Sequence, residues 1–83
     1  MPFFYLARCS DGSLYSGSCI DLRAREETHN HGKGAKYTRS RLPVKIVYFE
    51  EFSTRSEALK REAEVKKCSK LEKEVLVRSR AVS

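Results

Sequence analysis

Apolar and polar positions change their spacing several times along this chain, and each change marks an element. Residues 3–9 (FFYLARC) form an aromatic and apolar run of strand length. Ser10-Asp11-Gly12 is a turn signal, and SLYSGSC after it predicts a second strand, so the chain should open with a β-hairpin. Asp21 suits a helix N-cap and Gly32 a stop, which predicts a helix over LRAREETHNH. Its apolar residues are Leu22, Ala24 and little else. A helix this polar lacks a broad hydrophobic stripe and should lend a polar face to a site. Arg25 and His29, four residues apart, share one such face.

GKGAKYTRSRLP reads as a basic loop closed by proline. In VKIVYFEEF, Val44, Ile46 and Tyr48 alternate with Lys45, Val47 and Phe49, and both sets are largely apolar. That pattern predicts a well-buried third strand at the centre of the sheet. Thr54 and Glu57 form a capping box that opens a helix over RSEALKREAEVKK. Its inward stripe is expected along Ala58, Leu59, Glu62, Ala63 and Val65 or Lys66. Ser69 and Glu72 form a second box, opening a last helix whose apolar residues are Leu71, Val75 and Leu76. The expected fold is α+β: a three-stranded antiparallel sheet flanked by about three helices, in the order ββαβαα. Residues 1–83 should form one domain with its core over about 3–77 and a frayed tail over 78–83.

Gly17 is the odd residue of the hairpin, because glycine packs nothing in a strand and loses the most backbone entropy on folding. It marks a bulge or a place where something approaches the backbone closely. A two-residue loop at Asp11-Gly12 would put Tyr5 and Tyr15 on opposite faces. A three-residue loop, Ser10-Asp11-Gly12, pairs Ala7 with Tyr15 and Tyr5 with Gly17, and both tyrosines then share a face.

Charge and cysteine content narrow the class. The net charge of +6 over 83 residues suits a polyanionic partner or a merely basic soluble domain. Lys33, Lys36, Arg39 and Arg41 surround Tyr37 in the basic loop, whereas the lysines of KREAEVKKCSKLEK alternate with glutamates and read as a solvated helix face. Cys9, Cys19 and Cys68 are an odd set, and the N-terminus has no basic region or cleavage site of a signal peptide. Free thiols, a reducing compartment and a cytoplasmic location are expected, with no membrane partner. Cys9, Cys19, His29 and His31 lack the close pairing of a structural zinc site.

Glu62 carries the sharpest chemical question. A carboxylate facing a sheet is costly unless paired, hydrogen-bonded or bound to a metal. Either the stripe is rotated so that Glu62 reaches the rim and pairs with Lys66, or Glu62 is a hard-metal ligand, since one carboxylate plus waters and phosphates can hold Mg²⁺. Tyr5 and Tyr15 read singly as core aromatics, Tyr37 as a stacking or packing residue, and Arg25 and His29 as a solvated face. Together these residues could activate water, hold a phosphate, relay a proton and stabilise a leaving oxygen, which is a kit for phosphodiester hydrolysis.

The set resembles the GIY-YIG nuclease family, and most of all its small stand-alone bacterial members. Phe3-Phe4-Tyr5 corresponds to the first motif and keeps its tyrosine, and Tyr15-Ser16-Gly17 corresponds to the second and keeps its tyrosine and glycine. Arg25, ten positions after Tyr15, matches the arginine of the family's first helix, and His29 matches a position that is His or Tyr in members. Glu62 within ALKREAEVKK matches the metal-binding glutamate. CSDGSLYSG, HNHGKGAKYT and RLPVKIVYFEEF extend the likeness over residues 3–77. Phe3-Phe4 replaces Gly-Ile at packing positions, and the last helix offers no counterpart to a polar residue, often Asn, that many members carry there.

The resemblance implies one divalent ion, Mg²⁺ or Mn²⁺, and cleavage of one DNA strand, with branched or damaged DNA and a repair or recombination role in view. It implies that both tyrosines line one site, which selects the three-residue loop and makes Gly17 the floor where a phosphate approaches. Tyr15 would act as general base or activate the attacking water, and Tyr5 would orient the water or share that role. Arg25 would stabilise the developing charge, His29 would assist proton transfer, and Glu62 would hold the metal. Lys33, Lys36, Tyr37, Arg39 and Arg41 would contact the strand. Family nucleases often borrow affinity from a second domain, so this chain is expected to rely on its own positive surface, a homodimer or a partner protein. The competing expectations are a nucleic-acid-binding module without cleavage and a small interaction protein with no nucleic-acid role.

Overall fold

The computed structural model describes residues 1–82, with side chains through Ser79. Strands β1 (Phe3–Arg8), β2 (Leu14–Cys19) and β3 (Lys45–Glu51) form one antiparallel sheet in the order β2-β1-β3. Helices α1 (Leu22–Asn30), α3 (Arg55–Lys66) and α4 (Lys70–Val82) flank it, and a single helical turn, α2 (Lys36–Arg39), sits inside the expected basic loop. The fold is α+β in the order ββαβαα with that turn added. α4 takes in the stretch expected as a frayed tail, apart from Ser83, which lies outside the described residues.

The hairpin has the three-residue loop. Ala7 faces Tyr15 and Tyr5 faces Gly17, while Gly12 takes φ +86°. The Cys9 N–H donates to the Ser13 carbonyl at 2.9 Å and closes the loop. The central strand is β1, not β3 as the sequence pattern suggested. Phe4, Tyr5, Leu6 and Ala7 are all fully buried, whereas β3 pairs on one side only. β3 reads apolar on both faces because helices cover both faces of the sheet even at its edge.

On one face Tyr5, Ala7, Cys9, Cys19 and Val44 pack with Leu22 of α1, and on the other Phe4, Leu6 and Tyr48 pack with Val65 of α3 and Leu76 and Val77 of α4. A bulge interrupts β3. Leu6 pairs with Tyr48 and Ala7 with Ile46, leaving Val47 as the extra residue. Ile46 thereby joins Phe49 on the α1 face, and the plain alternation expected for this strand fails.

α1 is capped by Asp21, whose carboxylate accepts the Ala24 N–H at 3.0 Å. It is docked by polar bonds. The Ile46 N–H donates to Glu26 at 2.7 Å, the Val44 N–H donates to Asn30 Oδ1 at 2.7 Å, and Asn30 Nδ2 donates to the Val44 carbonyl at 3.0 Å. Both expected capping boxes form, at Thr54/Glu57 and Ser69/Glu72. The inward faces of α3 and α4 are rotated from the expected ones. Ala58 and Val65 are fully buried, but Leu59 is 45 % exposed, and Leu71 and Val75 face solvent while Leu76 and Val77 pack inward. Arg61 of α3 donates to Glu50 of β3 at 2.9 and 3.1 Å, and this tie fixes the rotation of α3 at the sheet edge.

Val65→Ala should therefore cost about 2 kcal/mol through lost burial and a residual cavity. Leu59→Ala should stay within about 0.5 kcal/mol. Urea denaturation of the two variants checks the rotation, and equal costs would contradict it.

Candidate active site

A polar pair lies at the centre of the α1 face. Tyr5 is fully buried and His29 is 1 % exposed. Tyr5 Oη and His29 Nε2 are hydrogen-bonded at 2.8 Å, and His29 Nδ1 and Thr38 Oγ1 at 2.9 Å. The Thr38 hydroxyl also lies 2.9 Å from the Ala35 carbonyl, which accepts from it.

Two glycines make room for this chain. A Cβ on Gly17 would meet Tyr5 Oη at 2.6 Å, and one on Gly34 would meet His29 Nδ1 at 2.1 Å. The space beside Gly17, expected to stay open for a phosphate, is therefore filled by the Tyr5 phenol. Gly17 is still a close-approach position, and what approaches is the chain's own tyrosine.

Tyr15 lies over the pair and reaches the surface. Its ring sits edge-on to His29 at 5.4 Å, tilted to Tyr5 at 6.4 Å and stacked on Tyr37 at 6.1 Å. The Arg41 guanidinium also lies over the Tyr37 ring, 3.9 Å from its centroid. Arg41 also donates to Asp11 at 3.1 Å and to the Tyr37 carbonyl at 2.8 Å. Tyr37 is 41 % exposed yet packs against both Tyr15 and Arg41, and Arg41 is committed within the protein. Lys33, Lys36 and Arg39 are exposed.

Arg25 is exposed on α1 and lines a depression with Ser18, Cys19 and Arg55. Its charge acts on Tyr5 and His29 together. Burial, reinforced by the neighbouring Tyr15, pushes the Tyr5 phenol well above its ordinary value, with Arg25 opposing. Burial, then Arg25, pulls His29 below its ordinary 6.5. At neutral pH both groups of the pair are uncharged.

Glu62 reaches the rim from α3, on the opposite side of β2. Its side chain is 17 % exposed and pairs with Lys66 at 2.7 Å. Lys66 in turn lines a groove with Leu14, Tyr15, Ser16, Tyr37 and Lys73, so lysines of the stretch that read as a solvated face converge beside Tyr15. The Ser16 hydroxyl in this groove wall is buried with no hydrogen-bond partner. The structure brings Tyr5, Tyr15, Arg25 and His29 together directly, and Glu62 meets them only across the β2 edge. Among the described residues no three His, Cys, Asp or Glu side chains gather as a metal cage. A single rim carboxylate with one displaceable lysine fits a hard cation that keeps waters and phosphate oxygens as its other ligands. Thr38, Gly34, Glu26 and Asn30 were missed in the sequence. The paired glycines of GKGAKYT were the one local signal, pointing to a close approach as well as to a loop.

The sequence matches the GIY-YIG catalytic domain over residues 1–74. The chain belongs to the GIY-YIG family. A UPF0213 protein of Staphylococcus aureus is 53 % identical over 78 residues, covering 94 % of this chain and 95 % of that protein. The solution structure of a UPF0213 protein from Bacillus halodurans is similar at 43 % identity and a TM-score of 0.59, covering 94 % of this chain and 84 % of that one. A second solution structure, of a protein from E. faecalis, is similar at 41 % identity and a TM-score of 0.62, covering 98 % of this chain and 86 % of that one. This is a family of nucleases whose members generally depend on a divalent metal and act on DNA.

The buried neutral His29 makes stability pH-dependent in a defined window. Its folded value is depressed, so the unfolded chain binds the proton first as pH falls below about 6.5. Stability should be full above that pH and fall progressively below it, until the depressed folded value is passed. Glu74, held down to about 2 by Arg8 and Lys70, acts only at lower pH. Melting temperatures at pH 7.5 and 5.5 should differ for the wild type and much less for His29→Gln. An equal drop in both would assign the dependence elsewhere.

Proposed function

We propose that this protein is a metal-dependent endonuclease that nicks one strand of DNA. The observation that carries the reading is the uncharged, fully buried Tyr5–His29 pair beneath Tyr15 and Arg25. An apolar pair would fill a small domain's core without the desolvation that these two rings must offset by hydrogen bonds, and the resemblance assigns both to motif positions of the family.

In this reading Tyr15, the tyrosine that reaches the surface, contacts the attacking water. Tyr5 lies below and acts through hydrogen bonds. Arg25 neutralises charge developing on the phosphate oxygens from its exposed position on α1. Glu62 exchanges Lys66 for Mg²⁺ or Mn²⁺, and such an ion supplies Lewis-acid stabilisation of the leaving oxygen. Lys66 and Lys73 on one side of Tyr15, and Lys33, Lys36 and Arg39 of the basic segment, contact strand phosphates. Tyr37 supports Tyr15 by stacking on it, and a base stacking on Tyr37 would compete with Arg41. A repair or recombination role on branched or damaged DNA, and a homodimer or partner that adds affinity, belong to the same proposal.

The deciding experiment is nicking of supercoiled plasmid with Mg²⁺ or Mn²⁺. The wild type should nick. Tyr15→Phe should lose roughly 10²-fold or more, as removal of a general base does, and Glu62→Ala should abolish turnover while both variants stay folded. No cleavage by folded wild type with either ion would favour the binding module without catalysis. A separate measurement tests the groove. Lys73→Ala should weaken DNA binding evenly across sequences and lower the slope of log affinity against log salt by about 1. An unchanged slope would remove Lys73 from the strand path.

A further inference from the structure

His29 is flanked by two hydroxyls, and the bonds around it admit one proton arrangement that satisfies them all. The Ala35 carbonyl can only accept, so the Thr38 hydroxyl, 2.9 Å away, donates its single proton there. Thr38 Oγ1 is then left to accept, and His29 Nδ1, also 2.9 Å away, carries a proton and donates to it. In the neutral ring Nε2 is consequently bare, and it accepts the Tyr5 O–H at 2.8 Å.

The opposite tautomer breaks this chain in two places. Nε2–H would donate to Tyr5, and Thr38 would turn its proton from Ala35 to Nδ1. The Tyr5 proton would then have no acceptor among its described partners, in a side chain with no exposed surface. A buried donor without an acceptor is the costliest kind of lost hydrogen bond.

We propose that Thr38 is a positioning residue that holds His29 in its Nδ1–H form, so that Nε2 is reserved for the proton of Tyr5. The inference deepens the nuclease reading and rests on it only for its use in catalysis. With its own proton committed to His29, the Tyr5 oxygen faces the rest of the site solely as an acceptor. A donor at Tyr15 or a site water can pass a proton to that oxygen while the Tyr5 proton moves to Nε2. No atom is left over: the donor loses one proton, Tyr5 exchanges one, and His29 gains one as imidazolium.

The surroundings favour that assignment. Gly34 packs its backbone against the Nδ1 edge and leaves the ring little room to turn. The groups facing His29 are Tyr5 from β1, Tyr15 from β2, Arg25 from one turn earlier on α1, and Thr38 from α2. None of them is a carboxylate, so the tautomer is set by hydroxyl geometry and not by a charge on Nδ1.

Long-range ¹⁵N–¹H correlation spectra of the imidazole report the tautomer directly and need no activity. In the wild type and in Thr38→Ser, His29 should show a protonated Nδ1 and a bare Nε2 near neutral pH. In Thr38→Val, which keeps the shape and removes the acceptor, the population should move toward Nε2–H. Nicking should stay near wild type in Thr38→Ser and fall roughly 10- to 100-fold in Thr38→Val, by analogy with the loss of the outer hydrogen-bond partner of a metal-bound histidine. A wild-type spectrum with Nε2 protonated overturns the assignment, as does a folded Thr38→Val with the wild-type tautomer. Should Thr38→Val fail to fold, the wild-type and Thr38→Ser spectra still decide. Should the wild type not nick DNA, the nuclease reading falls while the spectra still test Thr38.

Discussion

The register of β1 against β2 decides how the two tyrosines of the site meet. Side chains alternate across a sheet, so a slip of one residue would send the neighbours of Tyr5 to the opposite face. The three-residue loop with Gly12 at φ +86° sets that register. It puts Gly17 opposite Tyr5, where the phenol lies across bare backbone, and small Ala7 opposite Tyr15. The two tyrosines become diagonal neighbours on one face at 6.4 Å. With any side chain in place of Gly17 the Tyr5 phenol would be pushed from the position in which it bonds His29 Nε2.

The second constraint is the way α1 is held. A nine-residue helix with so few apolar groups gains little from hydrophobic burial. Glu26 and Asn30 instead bond backbone groups of Ile46 and Val44, and His29 bonds Tyr5 and Thr38. Each such bond contributes about 1 kcal/mol net, so the gain in stability is modest and the gain in orientation is large. The bonds fix the rotation of α1 about its axis, which carries Arg25 to the surface beside the buried pair. Glu26 and Asn30 also occupy N–H groups along the β3 segment that would otherwise invite another chain. The polar character that made this helix look weak in sequence is what docks it.

What the sequence disclosed follows from range. Turns and caps rest on chemistry within a few residues, and Gly12, Asp21, Thr54/Glu57 and Ser69/Glu72 were all legible on that ground. The shared face of Tyr5 and Tyr15 followed once the loop length was chosen. Strand order was misread because β3 carries apolar residues on both faces, a property of the helices covering it and not of its place in the sheet. The Val47 bulge has no local signature. The stripe of α3 was misjudged because Leu59 and Ala63 satisfy the period equally well, and the Arg61–Glu50 tie that turns the helix joins residues far apart in sequence. Glu62 had two open fates, rim pairing or metal binding. Its bond to Lys66 realises the first without removing the second, since a lysine at the rim is a partner that a divalent ion can replace. Thr38 escaped notice because nine residues separate it from His29 with no periodic relation between them.

The positive surface is rearranged in the same way. In the sequence the basic segment around Tyr37 stood out, and the lysines after residue 59 were discounted because glutamates alternate with them. Folding reverses part of that weighting. Arg41 is spent on Tyr37 and Asp11, so its charge is partly cancelled and its donors are occupied. Lys66 and Lys73 line the groove beside Tyr15, and the glutamate that pairs with Lys66, Glu62, is itself part of the proposed site. Positive charge therefore stands in the groove beside Tyr15 as well as on the basic segment. Screening over about 10 Å at 0.1 M salt makes nearby charges matter most, so these lysines count for more than their share of the net +6 suggests. A strand held by both would cross the half-buried Tyr15, and its phosphates would run between Arg25 and Glu62. The proposed chemistry needs that path, because the arginine and the carboxylate come from opposite sides of β2 and only a substrate spanning its edge can touch both.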